Sequence, residues 1–168
     1  LEKEGNKKNK NSVNFLGYTD NNTDKRIHFQ LEFNDGFVEK ADIEKELKAN
    51  GFEVYTANVG PVSSNWDRAV ELYYQIKGGQ VDYGKTQVEK YGIIQKPNNK
   101  EYIGLYPEWS DENPVHLVGH SMGGQTIRML DYLLKTAITD SSLKYEESQL
   151  LGQINEGWIK SITSISTP

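Results

Sequence analysis

The chain has 168 residues, a formal net charge of −5 at pH 7, a pI near 5.3 and no cysteine. That length suits one domain with a real core. The acidic balance excludes nucleic acid as an expected partner, the missing cysteine excludes disulfides, and no stretch reaches the ~20 apolar residues of a membrane span.

Residues 1–11 carry Lys3, Lys7, Lys8 and Lys10 amid Asn and Glu. This is expected to be a flexible polar segment, since such charge runs mark solvated tails. No signal-peptide pattern is read in these residues, and the start at Leu1 is expected to mark a piece of something longer. The folded unit is expected over 12–168. Strands at about 12–19 and 26–33 bracket the turn signal Asp20-Asn21-Asn22. An amphipathic helix over 38–50 ends at the Asn50-Gly51 cap, and Phe52 to Val59 reads as a strand. The next helix runs from about Asn65 to Lys77. It presents Ala69, Leu72, Tyr73 and Ile76 on one face and stops at Gly78-Gly79. Residues 79–113 are polar with scattered Tyr and Trp. They are expected to form an elaborated surface loop with a short helix around Thr86–Tyr91.

Asn113-Pro114 is a breaker, and Pro114 can only open a strand or lie at an edge. Val115, Leu117 and Val118 then read as a strand buried in a parallel sheet. Gly119-His120-Ser121-Met122-Gly123 follows as G-x-S-x-G, and Ile127, Met129, Leu130, Leu133 and Leu134 give the next segment a broad apolar helical face. Strand, G-x-S-x-G and helix together form a nucleophile elbow. Gly119 and Gly123 are expected to flank a turn too tight for side chains, with Ser121 strained and its oxygen exposed. The Met122 N–H would donate to an oxyanion at the positive end of the helix. The plainer alternative is an ordinary Gly-rich turn with an inert serine. Residues 140–156 are mostly polar, with room for a short helix, and Trp158 to Thr167 reads as a closing strand. Strands alternating with helices predict an α/β fold, a mainly parallel sheet with helices on both faces.

The run Pro114–Leu130, the run Ser64–Gly84 and the closing Ser161–Pro168 resemble the secreted triacylglycerol lipases of staphylococci and thermophilic bacilli. The resemblance implies an α/β-hydrolase fold, with only the N-terminal part of that domain present. It also implies carboxylic-ester hydrolysis of lipids at a lipid surface, triglyceride or phospholipid, and an extracellular location. In this family a His-Gly-Phe after the first core strand supplies the second oxyanion donor. Asp35-Gly36-Phe37 aligns with it, which makes the Phe37 N–H the candidate donor, with Asp35 in place of His. A plain turn at Asn34-Asp35-Gly36 is the equal alternative. The family's long insertion after that motif is missing here. The family binds zinc through an Asp that matches Asp67 and two His that match Gln87 and Ile93. One carboxylate cannot hold zinc, so the site is expected to be lost, with Asp67 in a helical first turn behind a Ser64 or Ser63 cap. No metal is expected in this chain; the family's calcium site would lie downstream.

His28, His116 and His120 are the three histidines, and none follows Ser121. His116 and His28 read as strand residues, and His120 as structural beside the serine. Asp131 and Asp140 read as solvated carboxylates rather than the acid that orients a base. The base and its acid are therefore expected beyond residue 168, or on another chain that completes the site. The competing expectation is a hydrolase-derived binding or interaction module that lacks catalysis.

Overall fold

The computed structural model describes residues 13–20, 47–60, 63–137 and 148–168. The expected strand over 26–33, most of the expected helix over 38–50 and the polar start lie outside them. The last turn of that helix is present at residues 47–49. The Asn50 and Gly51 N–H groups donate to the Leu47 and Lys48 carbonyls at 3.0 and 3.1 Å. Gly51 takes φ +86°, the left-handed stop that an Asn-Gly pair favours.

The elements in chain order are β1 (Val13–Asp20), β2 (Phe52–Val59), α1 (Asn65–Lys77), β3 (Gly79–Gln80), α2 (Lys85–Tyr91), β4 (Glu101–Tyr102), β5 (Val115–His120), α3 (Met122–Lys135) and β6 (Ile159–Ile165). The main sheet has the order β2-β1-β5-β6. β1 runs antiparallel to β2, from Val13↔Val59 to Asp20↔Phe52, and antiparallel to β5 at Leu16↔Val118. β5 and β6 are parallel, with Leu117 opposite Ile162. The described sheet is thus mixed, where alternation predicts a mainly parallel one. β2, β5 and β6 do share one direction, as helical crossovers require; β1 breaks the pattern, because antiparallel pairing needs no crossover helix.

Among the described residues both long helices cover the same face of the sheet. α1 and α3 pack on each other, α1 on β2, and α3 on β5 and β6. Helices on both faces are therefore not seen within these residues. Ala57 and Val59 of β2, Val115 and Leu117 of β5, Ala69, Leu72 and Ile76 of α1 and Ile127, Leu130 and Leu133 of α3 form one core. Each of the Val, Leu and Ile side chains contributes about 1.5–3 kcal/mol on burial.

α1 departs from the expected one-sided helix, since every residue from Arg68 to Ile76 is buried. The cause is the excursion over 79–113, which is a cover rather than a surface loop. Val81, Tyr83, Tyr106 and Trp109 within it are buried against the core. Its returning stretch hydrogen bonds to α1, with Leu105 and Tyr106 N–H donating to Gln75 and Ile76 carbonyls at 2.8 Å each. A helix covered all round must satisfy its polar side chains internally. Glu71 accepts from Tyr83 OH at 2.8 Å, from Gly60 N–H at 3.2 Å and from Lys100 Nζ. Gln75 accepts from Asn58 N–H at 2.8 Å and donates to the Asn58 carbonyl, closing part of the outer edge of β2.

The segment entering β6 is fixed by aromatics. Trp109 Nε1 donates to the Trp158 carbonyl at 2.7 Å, and the two rings meet edge-on at 5.2 Å. Before it, the described part of the polar stretch forms turns rather than a helix, and it drives Leu150 and Leu151 into the core.

Candidate active site

Ser121 sits between the end of β5 and the first residue of α3 with φ 51° and ψ −126°. That combination is neither β nor left-handed helix, and holding a side-chain-bearing residue there costs about 1–3 kcal/mol. The residues around it hold the strain. Ser121 N–H donates to the Ile165 carbonyl at the end of β6 at 2.9 Å, and the Ser121 carbonyl accepts from Gly124 N–H at 3.0 Å. Its side chain makes no capping bond to the helix it precedes. Met122 is the first helical residue, so its N–H is among the first-turn amides that an α-helix leaves without an internal acceptor.

The glycines around the serine answer to contacts. A Cβ on Gly119 would lie 2.6 Å from the carbonyl carbon and oxygen of Gly123, so the strand and helix backbones touch there. A Cβ on Gly124 would lie 1.9 Å from Thr167 Oγ1 and 2.8 Å from Thr167 Cγ2. The tight contact thus extends one residue beyond the G-x-S-x-G motif and involves the segment after β6. Ser166 there has φ 47°, Thr167 Oγ1 is buried, and Gln125 Nε2 donates to the Pro168 carbonyl.

Beneath the first turn of α3 lies a buried guanidinium. Arg68 is 5% exposed and bonds through Nε to Thr126 Oγ1 at 3.1 Å, through Nη1 to the Ser63 carbonyl at 2.9 Å and through Nη2 to Asn65 Oδ1. Thr126 Oγ1 in turn donates to the Met122 carbonyl at 3.1 Å. Burial lowers the Arg68 pKa, opposed by the nearby Asp67 and Glu71 carboxylates. The sequence reading missed Arg68, although it falls on the apolar stripe of α1 at i, i+4, i+8 with Leu72 and Ile76. A charge on a core stripe was the available signal.

Ser121 and Met122 come together at the elbow. Phe37, the candidate second donor, and Asp35 of the same motif lie outside the described residues, as do His28 and Asp140. His116 is buried in β5, and its Nδ1 meets Ser161 Oγ of β6, a packed strand position as expected. His120 directly precedes the serine on β5. Asp131 pairs with Lys135 at 2.8 Å one turn along α3, a surface helix pair. Asp67 lies in the first turn of α1, and its N–H donates to the Ser64 cap at 3.1 Å. Its Oδ1 is buried without a hydrogen-bond partner among the described residues.

A family model described as "Lipase-like, C-terminal domain" matches residues 10–168. Lipase 1 of Staphylococcus aureus (strain MRSA252) is 44% identical over 135 residues, covering 77% of this chain and 19% of the relative. A lipase of Staphylococcus epidermidis is 43% identical over 136 residues, with the same coverage. The chain thus spans about a fifth of the length of these relatives. Among solved structures, Staphylococcus hyicus lipase superposes with a TM-score of 0.73 at 40% identity, over 80% of this chain and 36% of that one. EstA from Clostridium botulinum gives 0.70 at 47% identity, over 76% of this chain and 30% of that one.

Proposed function

The chain belongs to the lipase-like C-terminal domain family, and from that footing we propose that it carries the nucleophile part of a serine hydrolase of lipid esters. The observation that carries this reading is the backbone of Ser121, φ 51° and ψ −126° at a strand-to-helix junction. A binding module gains nothing from that strain. A nucleophile does, because the turn lifts its oxygen away from the helix and sets it beside the free first-turn amide of Met122.

In this reading Ser121 Oγ attacks the ester carbonyl and loses its proton to a histidine. The alcohol leaves with that proton, and water releases the fatty acid by the same steps. The Met122 N–H holds the oxyanion, with the Phe37 N–H as the second donor. Each such donor is worth about 10²–10³ in rate. No histidine follows Ser121 among the three in the sequence, so the base and its acid come from outside these residues.

Residues Asp67, Gln87 and Ile93 do not fit a zinc site. They offer one carboxylate, an amide and an alkyl group, and the carboxylate belongs to the capped first turn of α1. We place the activity outside the cell by likeness to secreted lipases; no helix among the described residues is long and apolar enough to cross a membrane. Carboxylic esters of lipids, in triglycerides or phospholipids, are the substrate class of this reading.

The test uses the full-length protein on p-nitrophenyl butyrate, tributyrin emulsion and phosphatidylcholine vesicles, with fluorophosphonate labelling in parallel. Ser121→Ala should abolish hydrolysis and labelling while leaving the melting temperature within a few degrees, and the zinc chelator phenanthroline should cost no activity. Hydrolysis retained by Ser121→Ala would sink the assignment of the nucleophile.

A further inference from the structure

We propose that Arg68 is a positioning residue of the Ser121 site, acting through Thr126 on the first turn of α3; this rests on the reading of Ser121 as nucleophile. The argument starts from donors and acceptors. A guanidinium has only donors, so the Thr126 oxygen must accept from Arg68 Nε at 3.1 Å. Its one proton is then committed to the Met122 carbonyl at 3.1 Å. The chain Arg68 → Thr126 → Met122 therefore has one possible polarity. It ends on the Met122 carbonyl, one Cα away from the peptide that carries the Met122 N–H, so it holds that residue in place rather than polarising its amide.

The same guanidinium grips the loop ahead of α1, through the Ser63 carbonyl at 2.9 Å and Asn65 Oδ1. One rigid fork thus ties the loop after β2, the first turn of α1 and the first turn of the nucleophile helix into one body. Helix packing does not need this. All three bonded partners are neutral, and the Asp67 and Glu71 carboxylates favour the charge of Arg68 only through space, with no hydrogen bond to it among the described residues. A buried cation without a bonded anion is costly, and an apolar side chain of similar volume would join α1 to α3 more cheaply. The charge also lies against the N-terminal turn of α3, where the helix dipole is already positive. In the resting protein that juxtaposition is unfavourable. It becomes favourable when negative charge develops on the substrate oxygen held by the Met122 amide, and an interaction that strengthens only then acts on kcat rather than KM.

The experiment uses the full-length protein with Arg68→Met, Arg68→Lys, Thr126→Val and Thr126→Ser, assayed on soluble p-nitrophenyl butyrate. Arg68→Met and Thr126→Val should lower kcat about ten- to a hundred-fold with KM within about two-fold, since small misplacements of reacting groups cost that much. Arg68→Lys keeps the charge but loses the fork, so it should fall between wild type and Arg68→Met. Thr126→Ser restores the hydroxyl and should restore kcat. If Arg68→Met fails to fold, the Thr126 pair decides alone. Folded Thr126→Val with unchanged kcat, or with only KM altered, overturns the proposal while Ser121→Ala remains inactive and the nucleophile reading stands. If Ser121→Ala stays active, that reading has failed, and amide hydrogen exchange over Met122–Gln125 decides the positioning claim. Faster exchange in Thr126→Val than in Thr126→Ser supports it, and equal exchange overturns it.

Discussion

At the scale of single residues, the elbow is built by subtraction. Gly119 must lack a side chain because a Cβ would sit 2.6 Å from backbone atoms of Gly123, and neither backbone can retreat without opening the strand–helix junction. Gly119→Ala should therefore destabilise the protein by about 1–3 kcal/mol, read from the urea midpoint at constant m-value. Gly124 is a softer case, since its obstacle is the side chain of Thr167, with Oγ1 at 1.9 Å. Gly124→Ala should cost a similar amount, and Thr167→Ala on that background should recover part of it. A double-mutant cycle that finds the two changes additive would show that the contact does not carry the cost. The G-x-S-x-G geometry was legible in the sequence because it is local: five residues between a β-prone run and a helical one. Thr167 and Arg68 were not legible, because they reach the elbow across 43 and 58 residues of chain, from Gly124 and Thr126 respectively. Only the fold creates those contacts.

At the scale of elements, α1 explains most of what periodicity could not show. A helix between a sheet and open water keeps a polar face; α1 lies between α3 and the excursion and has none. Its polar residues became internal fasteners. The clearest is Glu71, whose side chain is 3% exposed and paired with Lys100, itself 31% exposed. Lys100→Met should strand that carboxylate and cost about 1–3 kcal/mol, less than a fully buried pair would because Lys100 is partly solvated. Lys100→Met with Glu71→Leu removes both charges and should unfold at a higher denaturant concentration than Lys100→Met alone. If the double variant is no more stable, the loss came from packing rather than from the stranded charge. The boundaries of α1, α3, β2 and β5 follow from caps, breakers and spacing that a sequence displays. The role of the excursion does not. Val81, Tyr83, Tyr106 and Trp109 have no regular period, and β3 and β4 are two residues each, so only their burial reveals them as core. Strand direction is a further limit, because alternation of elements says nothing of where β1 inserts.

At the scale of the whole molecule, four tyrosines are buried among the described residues, and these set its response to alkali. Tyr73, Tyr74, Tyr83 and Tyr106 are buried, whereas Tyr91 and Tyr132 are 58% and 55% exposed. Burial pushes the Tyr73 hydroxyl up to about 12. Burial also raises Tyr74, and it raises Tyr83 with help from the hydrogen bond to the Glu71 carboxylate and its charge. In an unfolded chain each phenol ionises near the ordinary tyrosine value of about 10. Below that pH both states keep the proton and the stability is full. Between about 10 and 12 the unfolded chain sheds protons that folded Tyr73 retains, so stability falls as pH rises through that window. In the full-length protein, the buried phenols should appear at 295 nm only in a step that coincides with loss of the circular dichroism of the fold. Tyr73→Phe removes one of the groups that drive that step and should move its midpoint to higher pH, with stability at pH 7 changed by about 1 kcal/mol or less. A single titration near pH 10, with the fold intact and insensitive to Tyr73→Phe, would mean that the phenols reach solvent and that the excursion does not cover α1 as described.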